Sequence, residues 1–528
     1  MRMITLIKNQ TIRLLCFGMF GILLLSSCEE KEFNQINPQR QEPSIVVSGE
    51  ENTVNAYTGQ TINAVVSLDA QAGISSIRIL QDGEELEVIE GASGQVGHEY
   101  NIRYVVNEDL QPGDQVVYKF ILEDQTGRTI EQNFTILIVE APPVPEFEFE
   151  DINIGGNDYK LINLDINRDV TLSSDYDYLL RGKIAIIEGA TLQIDPGTHI
   201  YAEPASSLIL ATGSKIIAEG TASEPIRFTS LREQSNNPQA GDWVGLFLQG
   251  LAPVPGGEDL TLIGTSGLGR GYGGTDDADD SGQLKFVEIA YAGGYLVGSD
   301  AGISGALNLN GVGSSTVLEN IFINESGSRQ AIFVHGGSAR MKYILVHNPR
   351  GRAFRWVDGY TGFVQFFAAN YTTVEGFNDG YTAFDGYDAA GASPTPIFSN
   401  VAVQGGGFTG TPGSRGVRLR ANGKGAFYNG WYTNSGTGLR TESSATLVFA
   451  HNRVWDNNSA YHSSASAYNS TGAPYYNSSS PISITAGFKG IASEGALDPS
   501  TLDPWFTPAA YIGAVDPGDD WSTVWELP

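Results

Sequence analysis

The sequence is poor in cysteine, methionine and basic residues. Its 528 residues include 2 Cys and 4 Met, and 31 Lys and Arg stand against 60 Asp and Glu, a net charge of −29. Nucleic-acid binding needs basic side chains that contact phosphates, so we expect no nucleic-acid partner. The 6 His form no H-E-x-x-H pattern, which argues against a zinc hydrolase site of that type. With 41% hydrophobic and only 17% charged residues, the chain is not a disordered acidic tail either.

Long hydrophobic runs are also lacking. The apolar run at 14–25 is shorter than the ~20 residues of a membrane-spanning helix, and it follows Arg2, Lys8 and Arg13. A basic start, an apolar stretch and small residues predict a secretory signal over residues 1–27. Removing its three positive charges lowers the net charge from −29 to −32. The Leu-Ser-Ser-Cys sequence before residue 29 resembles a bacterial lipobox, which implies that Cys28 is acylated and inserted in outer-membrane lipid.

Acidic residues follow Cys28 directly. The Glu-Glu-Lys-Glu sequence at 29–32 resembles the surface-export signal of Bacteroidota lipoproteins, which implies a lipid-anchored protein at the cell surface. A tether that faces the periplasm is the alternative. Residues 28–43 are polar with two prolines and are predicted to be a tether. Because the only other Cys leaves with the signal, the mature chain has no disulfide.

What the sequence does contain is glycine, 64 residues of it, and short alternating apolar segments. Residues 44–140 alternate in six or seven short runs separated by turn signals, which predicts an immunoglobulin-like sandwich. Residues 141–152 begin with a proline-rich sequence and are predicted to be a linker. Residues 153–528 lack a helical period and contain apolar packets of three to five residues. The chain is therefore expected to be all-β.

The packets of residues 153–528 recur at a nearly fixed interval. The segment 318–323 returns at 341–346, a shift of 23 residues. The Val-Arg pair at 417–418 returns as Leu-Arg at 439–440, and the packet at 427–429 returns at 449–451, both after 22 residues. One coil of a parallel β-helix uses about this many residues, so we predict a β-helix in which equivalent side chains stack.

A family resemblance rests on several stretches of this region. The sequence GATLQIDPGT at 189–198 is similar to the opening coils of right-handed β-helix surface proteins. Further stretches at 242–246, 272–276 and 309–313, with the C-terminal Asp-Trp pair at 520–521, resemble a group of Bacteroidota surface lipoproteins with a right-handed parallel β-helix domain. The resemblance implies the handedness of the fold and names no activity.

The densest acidic cluster predicts a candidate cation site. Asp276, Asp277, Asp279 and Asp280 place four carboxylates within five residues, and Ca2+ takes six to eight oxygen ligands. A solvated, turn-forming loop is the favoured interpretation of these residues, with a structural Ca2+ site and a catalytic calcium as alternatives. The loop lacks the closing Glu of an EF-hand.

A basic and aromatic zone predicts a ligand surface. Residues 326–441 hold eleven Lys and Arg against five acids, a local charge of +6 in an acidic chain. Arginine forks suit carboxylate and sulfate groups, and aromatic faces suit sugar rings. The alternative is a balanced surface with aromatic side chains in the interior. The candidate ligand-binding residues are Arg352, Arg355, Trp356, Arg418, Arg440 and Trp431.

Three functions fit these features. We expect a surface lipoprotein whose β-helix binds an extended ligand, either a polysaccharide or an adhesion partner on another surface. A β-helix polysaccharide lyase or hydrolase is the first alternative, and an accessory subunit of an outer-membrane nutrient transporter is the second. No nucleophile elbow or catalytic Cys is present, so binding is favoured over catalysis while the catalytic residues stay unknown.

Overall fold

The computed structural model describes residues 41–47, 52–107, 109–140, 147–187, 189–257, 260, 271–294, 304–327, 330–372, 380–388, 395–407, 413–525 and 527. The chain divides into two compact units, Met1–Pro145 and Glu146–Pro528. The predicted signal, Cys28, most of the tether and residues 141–146 lie outside the described residues. Within the part that the structure describes, no helix is long and apolar enough to cross a membrane.

The first unit consists of two β-sheets around one core. A three-stranded sheet has the order β1-β3-β6, and a five-stranded sheet has the order β2-β8-β7-β4-β5. Buried and exposed residues alternate along β7, because one face of the strand packs on the core and the other meets water. Val66, Phe120 and Ile136 are fully buried in this core. The strands are β1 Ser44–Val47, β2 Thr53–Ala56, β3 Thr61–Asp69, β4 Ile74–Gln81, β5 Glu84–Glu90, β6 Gly97–Val105, β7 Gln115–Asp124 and β8 Thr129–Ile138.

The second unit is a parallel β-helix. Apart from the antiparallel pair β9 and β10, its strand pairs are parallel, each strand lying beside its equivalent in the next coil. The strands are β9 Glu150–Ile154, β10 Asn157–Ile162, β11 Val170–Leu172, β12 Tyr178–Leu180, β13 Lys183–Ile186, β14 Thr191–Ile194, β15 His199–Ala202, β16 Ser207–Leu210, β17 Lys215–Glu219, β18 Ile226–Ser230, β19 Gly245–Gln249, β20 Gly282–Ala290, β21 Gly305–Asn310, β22 Val317–Asn324, β23 Gln330–His335, β24 Arg340–His347, β25 Arg352–Val357, β26 Phe363–Asn370, β27 Thr382–Gly386, β28 Ile397–Gln404, β29 Arg415–Leu419, β30 Lys424–Tyr428, β31 Trp431–Thr433, β32 Thr437–Thr441, β33 Thr446–Ala450, β34 Arg453–Val454 and β35 Ser459–Tyr461.

The register confirms the repeat that the sequence predicts. Leu318 pairs with Met341 and Val417 pairs with Leu439, at the predicted shifts of 23 and 22 residues. Phe427 likewise pairs with Phe449. Stacking places like side chains above one another, so the coil interior is a continuous hydrophobic core. Each fully buried side chain of this kind contributes about 1.5–3 kcal/mol.

Each coil carries three strand segments. One segment belongs to a ten-stranded sheet of the order β13-β16-β19-β21-β23-β25-β27-β29-β32-β35. The other two merge in the later coils, because β17 and β18 both pair with β20. The merged strands bend at a residue with positive φ, for example Asn320 at 52° and Asn400 at 53°. Asparagine tolerates this left-handed conformation better than most residues do, which fits it for a repeated corner.

The strands end at Tyr461, and an irregular C-terminal segment follows. It contains three short 3-10 helices, Ser463–Tyr468, Pro499–Thr501 and Trp521–Val524. Ile482, Phe488, Ile512 and Trp525 of this segment are buried against an outer face of the coils. The coils therefore have one flank covered by the chain's own C-terminal residues.

Candidate functional site

The outer face of the ten-stranded sheet carries a row of charged side chains. Phe354 and its equivalents point into the coil, so the next residue along each strand points outward. The register places Arg355 beside Asp385, Asp385 beside Arg418, and Arg418 beside Arg440. Neighbouring strands lie about 4.8 Å apart, so these four residues, here named the arginine row, run along the coil axis. The predicted adjacency of Arg418 and Arg440 is confirmed, while their ligand-binding role stays a prediction.

Strands β25, β27, β29 and β32 contribute the positive charge of this face. Together the four strands hold five arginines and one carboxylate, that of Asp385. This local excess stands in a chain with a net charge of −29. The face therefore differs in sign from the molecule as a whole, which favours an anionic ligand at this location.

The carboxylate of Asp385 binds two arginines that flank this row. Its carboxylate is fully buried and accepts hydrogen bonds from Arg352 and, at 2.9 Å, from Nε of Arg420. Burial alone raises the pKa of Asp385, but the two guanidinium groups outweigh it and hold that pKa below its usual value. Because the buried carboxylate stays charged, the two arginines are fixed beside it.

Glu442 binds Arg418 in the same way. It accepts a hydrogen bond of 2.9 Å from Nε of Arg418, and a second bond joins the same two side chains. Burial raises the pKa of Glu442, yet its hydrogen bonds and the charge of Arg418 lower it overall. The Nε of Arg440 is buried without a hydrogen-bond partner among the described residues.

The two predicted tryptophans do not lie on this face. Trp356 is 2% exposed and packs inside the coil against Phe398, with ring centroids 4.9 Å apart. Trp431 points outward from another sheet and is buried beneath the C-terminal segment, donating a 3.0 Å hydrogen bond to the carbonyl of Gly490. This corrects the expectation that they offer sugar-stacking surfaces, because both indoles are used in packing.

The carboxylates of Asp276, Asp279 and Asp280 each have a different partner. Asp276 accepts a hydrogen bond from the N–H of Ala278, whereas Asp279 is buried and accepts one from Ser281. Asp280 pairs with Lys215. No three Asp, Glu, His or Cys side chains of the described residues come together as a metal-binding group.

The cluster is therefore a loop tied into its surroundings. Asp277 anchors it by its backbone, since its carbonyl accepts hydrogen bonds from Ser314 and Ser338. The four carboxylates of Asp276, Asp277, Asp279 and Asp280 do not converge as a Ca2+ site requires, which contradicts the candidate Ca2+ site and leaves the loop interpretation. Burial of Asp279 raises its pKa, against its hydrogen bonds with Leu251, Ser281 and Gly313.

A second polar row lies beside the arginine row on the same sheet. Gln249 pairs with Asn310, and Asn310 pairs with His335, on the successive strands β19, β21 and β23. We name these three residues the amide–histidine row. All three are buried, at 1%, 0% and 5% exposure.

The two rows are joined through aromatic side chains. The ring of Phe333 lies 4.0 Å from that of His335, and the guanidinium of Arg355 lies 5.0 Å from the Phe333 ring. On the other side of His335 is Tyr272, with ring centroids 6.4 Å apart. Contacts therefore run without interruption from Tyr272 to Arg355.

Sequence reasoning missed the amide–histidine row. Gln249 and Asn310 are 61 residues apart, and Asn310 and His335 are 25 apart. These unequal spacings hide the repeat, because a long insertion separates the first two residues. The one signal in the sequence is that each residue follows an alternating apolar strand, Leu-Phe-Leu, Leu-Asn-Leu or Ile-Phe-Val.

The comparison with protein families supports the β-helix architecture. No curated protein matches the chain. The catalytic unit of a thermostable GH87 α-1,3-glucanase from Streptomyces thermodiastaticus strain HF3-3 is 11% identical, with 80% of this chain and 96% of the glucanase unit covered and a TM-score of 0.23. The family model described as a pectate-lyase like β-helix domain matches residues 164–490. These residues include most coils of the second unit, and the chain belongs to the pectate-lyase-like β-helix domain family.

Proposed function

We propose that this protein binds an extended anionic polysaccharide along the arginine row. The observation that carries the proposal is the excess of five arginines over one carboxylate on the four consecutive strands that contain the row. The family's name supports the same class of ligand, since pectate is an acidic polysaccharide. Glycan-related binding or processing is the function that both observations favour.

The geometry suits a linear polymer better than a small anion. Arg355, Arg418 and Arg440 lie on different rungs, so they can meet successive acidic groups of one chain along the coil axis. Guanidinium groups bind carboxylates and sulfates through paired hydrogen bonds. The row is partly exposed, with 19% of the Arg418 side chain accessible, although its guanidinium already pairs with Glu442.

The protein's location is part of the proposal. Acylation of Cys28 would anchor the chain in outer-membrane lipid, and the acidic residues behind Cys28 support display at the cell surface. There the protein would act in polysaccharide capture or adhesion. We also propose the immunoglobulin-like identity of the first unit and the right-handed coil of the second, which the sequence patterns support.

Affinity electrophoresis tests the binding proposal. The protein without residues 1–28 is run through gels that contain polygalacturonate, alginate or the neutral polymer dextran. We expect retardation by at least one acidic polymer and none by dextran. The double variant Arg418→Gln with Arg440→Gln should weaken binding at least tenfold, whereas Arg103→Gln, an exposed arginine of β6, should not.

Two results would contradict the proposal. One is the absence of retardation by polygalacturonate and alginate at low salt, and the other is equal retardation of the double variant and the native protein. Following the absorbance of unsaturated products in the same mixtures tests the lyase alternative. Labelling with radioactive palmitate, compared between native protein and Cys28→Ser, tests the anchor.

A further inference from the structure

The amide–histidine row contains buried polar atoms that no described group satisfies. Both side-chain polar atoms of Gln249, both of Asn310, and Nε2 of His335 are inaccessible to solvent and lack a hydrogen-bond partner in the described part of the chain. Leaving such groups unpaired lowers stability, and native proteins seldom do so without a reason. Five unpaired atoms on three neighbouring rungs therefore indicate a missing partner rather than a packing fault.

The surroundings of His335 determine which of its nitrogens donates and which accepts a hydrogen bond. Its Nδ1 lies 3.2 Å from a carboxylate oxygen of Asp358. Burial lowers the pKa of His335 against the opposing effect of Asp358, while Arg355 lowers it further. The imidazole is therefore neutral near pH 7, Nδ1 donates its hydrogen to Asp358, and Nε2 carries a lone pair that can accept.

The row thus offers a ligand two amide donors, two amide acceptors and one imidazole acceptor. None of its three members is charged, so the row does not match an anion. It does not match a metal centre either, since no group of three Asp, Glu, His or Cys gathers within the described ranges. Hydroxyl groups, which both donate and accept, complement this set. Tyr272 and Phe333 add aromatic surface on either side of His335.

We propose that the amide–histidine row binds a neutral, hydroxyl-rich sugar unit. The inference deepens the proposed function and rests on it: the polysaccharide would place an uncharged sugar at this row and acidic groups on the arginine row. Phe333 touches both His335 and Arg355, so the two subsites are contiguous. Entry requires the segment 271–276 to move, because Gly273 donates a 2.8 Å hydrogen bond to the carbonyl of Gly250 beside the row.

Titration with single neutral sugars tests this assignment. The protein without residues 1–28 is mixed in turn with D-galactose, D-glucose and N-acetyl-D-glucosamine, and binding is followed by saturation-transfer NMR. We expect binding of at least one sugar. Asn310→Leu and, separately, Gln249→Leu should each weaken that binding at least tenfold, whereas Asn101→Leu, at an exposed position of β6, should leave it within twofold.

The outcomes separate this inference from the proposed function. If the row holds only water, none of the three sugars binds and Asn310→Leu raises the melting temperature, which overturns the inference. Equal sugar binding by both row variants and the native protein also overturns it. Sugar binding without retention on polygalacturonate or alginate supports the row and overturns the anionic-polymer proposal. Retention on polygalacturonate or alginate without sugar binding supports the anionic-polymer proposal and overturns the assignment of the row.

Discussion

Asp385, the acidic member of the arginine row, fixes two arginines that flank the row. It is the carboxylate between Arg352 and Arg420, and it is fully buried. A charged group is stable in such a place only when paired and hydrogen-bonded. Removing it leaves two guanidinium groups without their shared partner, and each then lies close to a like charge.

We therefore expect Asp385→Asn to lower the free energy of unfolding by about 3–5 kcal/mol, as for other broken buried ion pairs. All seven tryptophans lie at or beyond residue 243, so urea unfolding followed by tryptophan fluorescence reports on the second unit alone. Asp519→Asn, at an exposed position of the second unit, is the control. An unchanged midpoint for Asp385→Asn would show that the carboxylate does not stabilise the row.

Asp124 sets the acid stability of the first unit. Its carboxylate accepts hydrogen bonds from Thr126 and Arg128. Burial raises its pKa, but these bonds lower it to about 2. A depressed pKa stabilises the folded state above the unfolded value of about 3.9, and this stabilisation is lost as pH falls through about 2.

Asp124→Asn should therefore unfold the first unit at a higher pH than the native sequence does. The advantage of the native sequence should be complete above about pH 4–5 and should shrink below it. The measurement follows the amide NMR signals of the first unit, in the chain without residues 1–28, as the pH is lowered. A variant whose acid transition coincides with the native one would exclude this role for Asp124.

At the scale of the element, the strands alternate between a packed and an outward side. Phe384, Phe398 and Phe427 stack inside successive coils, and the rings of Phe398 and Phe427 are 4.6 Å apart at an angle of 8°. Such stacks add specific contacts to the burial of apolar surface. The outward positions of the same strands carry the arginines, so packing in the interior fixes the spacing of the row.

Phe398→Ala should cost about 3–5 kcal/mol of unfolding free energy, since it removes a buried ring and leaves a cavity. Phe398→Leu should cost clearly less because it keeps more of the volume. Val448→Ala, where 42% of the side chain is exposed, serves as the control. The measurement is again urea unfolding by fluorescence, and equal effects of the Ala and Leu variants would argue against cavity formation as the cause.

The repeat length can be predicted from the sequence, whereas most of the candidate site cannot. The 22- and 23-residue shifts are visible because each coil must return to the same register. Trp356 shares the inward parity of Phe354 and is therefore packed, which alternation within one strand could have revealed. Gln249, Asn310 and His335 are brought together only after insertions of unequal length, so no local pattern marks them as neighbours.

On the scale of the whole molecule, the C-terminal segment protects one flank of the coils. Phe322, Leu345 and Trp431 point outward from their strands but are buried by that segment. Polar contacts add to this packing, since Gln365 donates to the carbonyl of Thr507 at 2.8 Å and Asn400 donates to that of Tyr511 at 2.7 Å. Without its cover the flank would be an exposed apolar patch.

Deleting residues 481–528 should therefore lower the melting temperature and expose apolar surface. We expect increased fluorescence of an added hydrophobic dye and a shift toward larger species in size-exclusion chromatography. Deleting residues 1–40, which leaves both units intact, is the control. A truncated protein that stays monomeric and binds no dye would mean that the flank needs no cover.

Because charge is unevenly distributed in the molecule, its affinity for acidic polymers should depend on salt concentration. If an acidic polymer binds the arginine row, the rest of the chain repels it, since the whole sequence has a net charge of −29. Attraction and repulsion are both screened, but the direct contacts to the row act at short range and govern affinity. Affinity for polygalacturonate or alginate should fall as salt rises from about 0.05 to about 0.5 M. Salt-independent affinity in gel electrophoresis would contradict binding through the row.

The sequence predicts the repeating β-helix, because stacking in register requires apolar residues to return at a near-constant interval. It also located the excess of arginine in an acidic chain. Which side chains meet depends on the three-dimensional fold. The fold buries Trp356 and Trp431, gives the four aspartates different partners and aligns the amide–histidine row. The physical reason is that coil register and the C-terminal cover are long-range interactions, whereas a sequence displays only the local pattern of each strand.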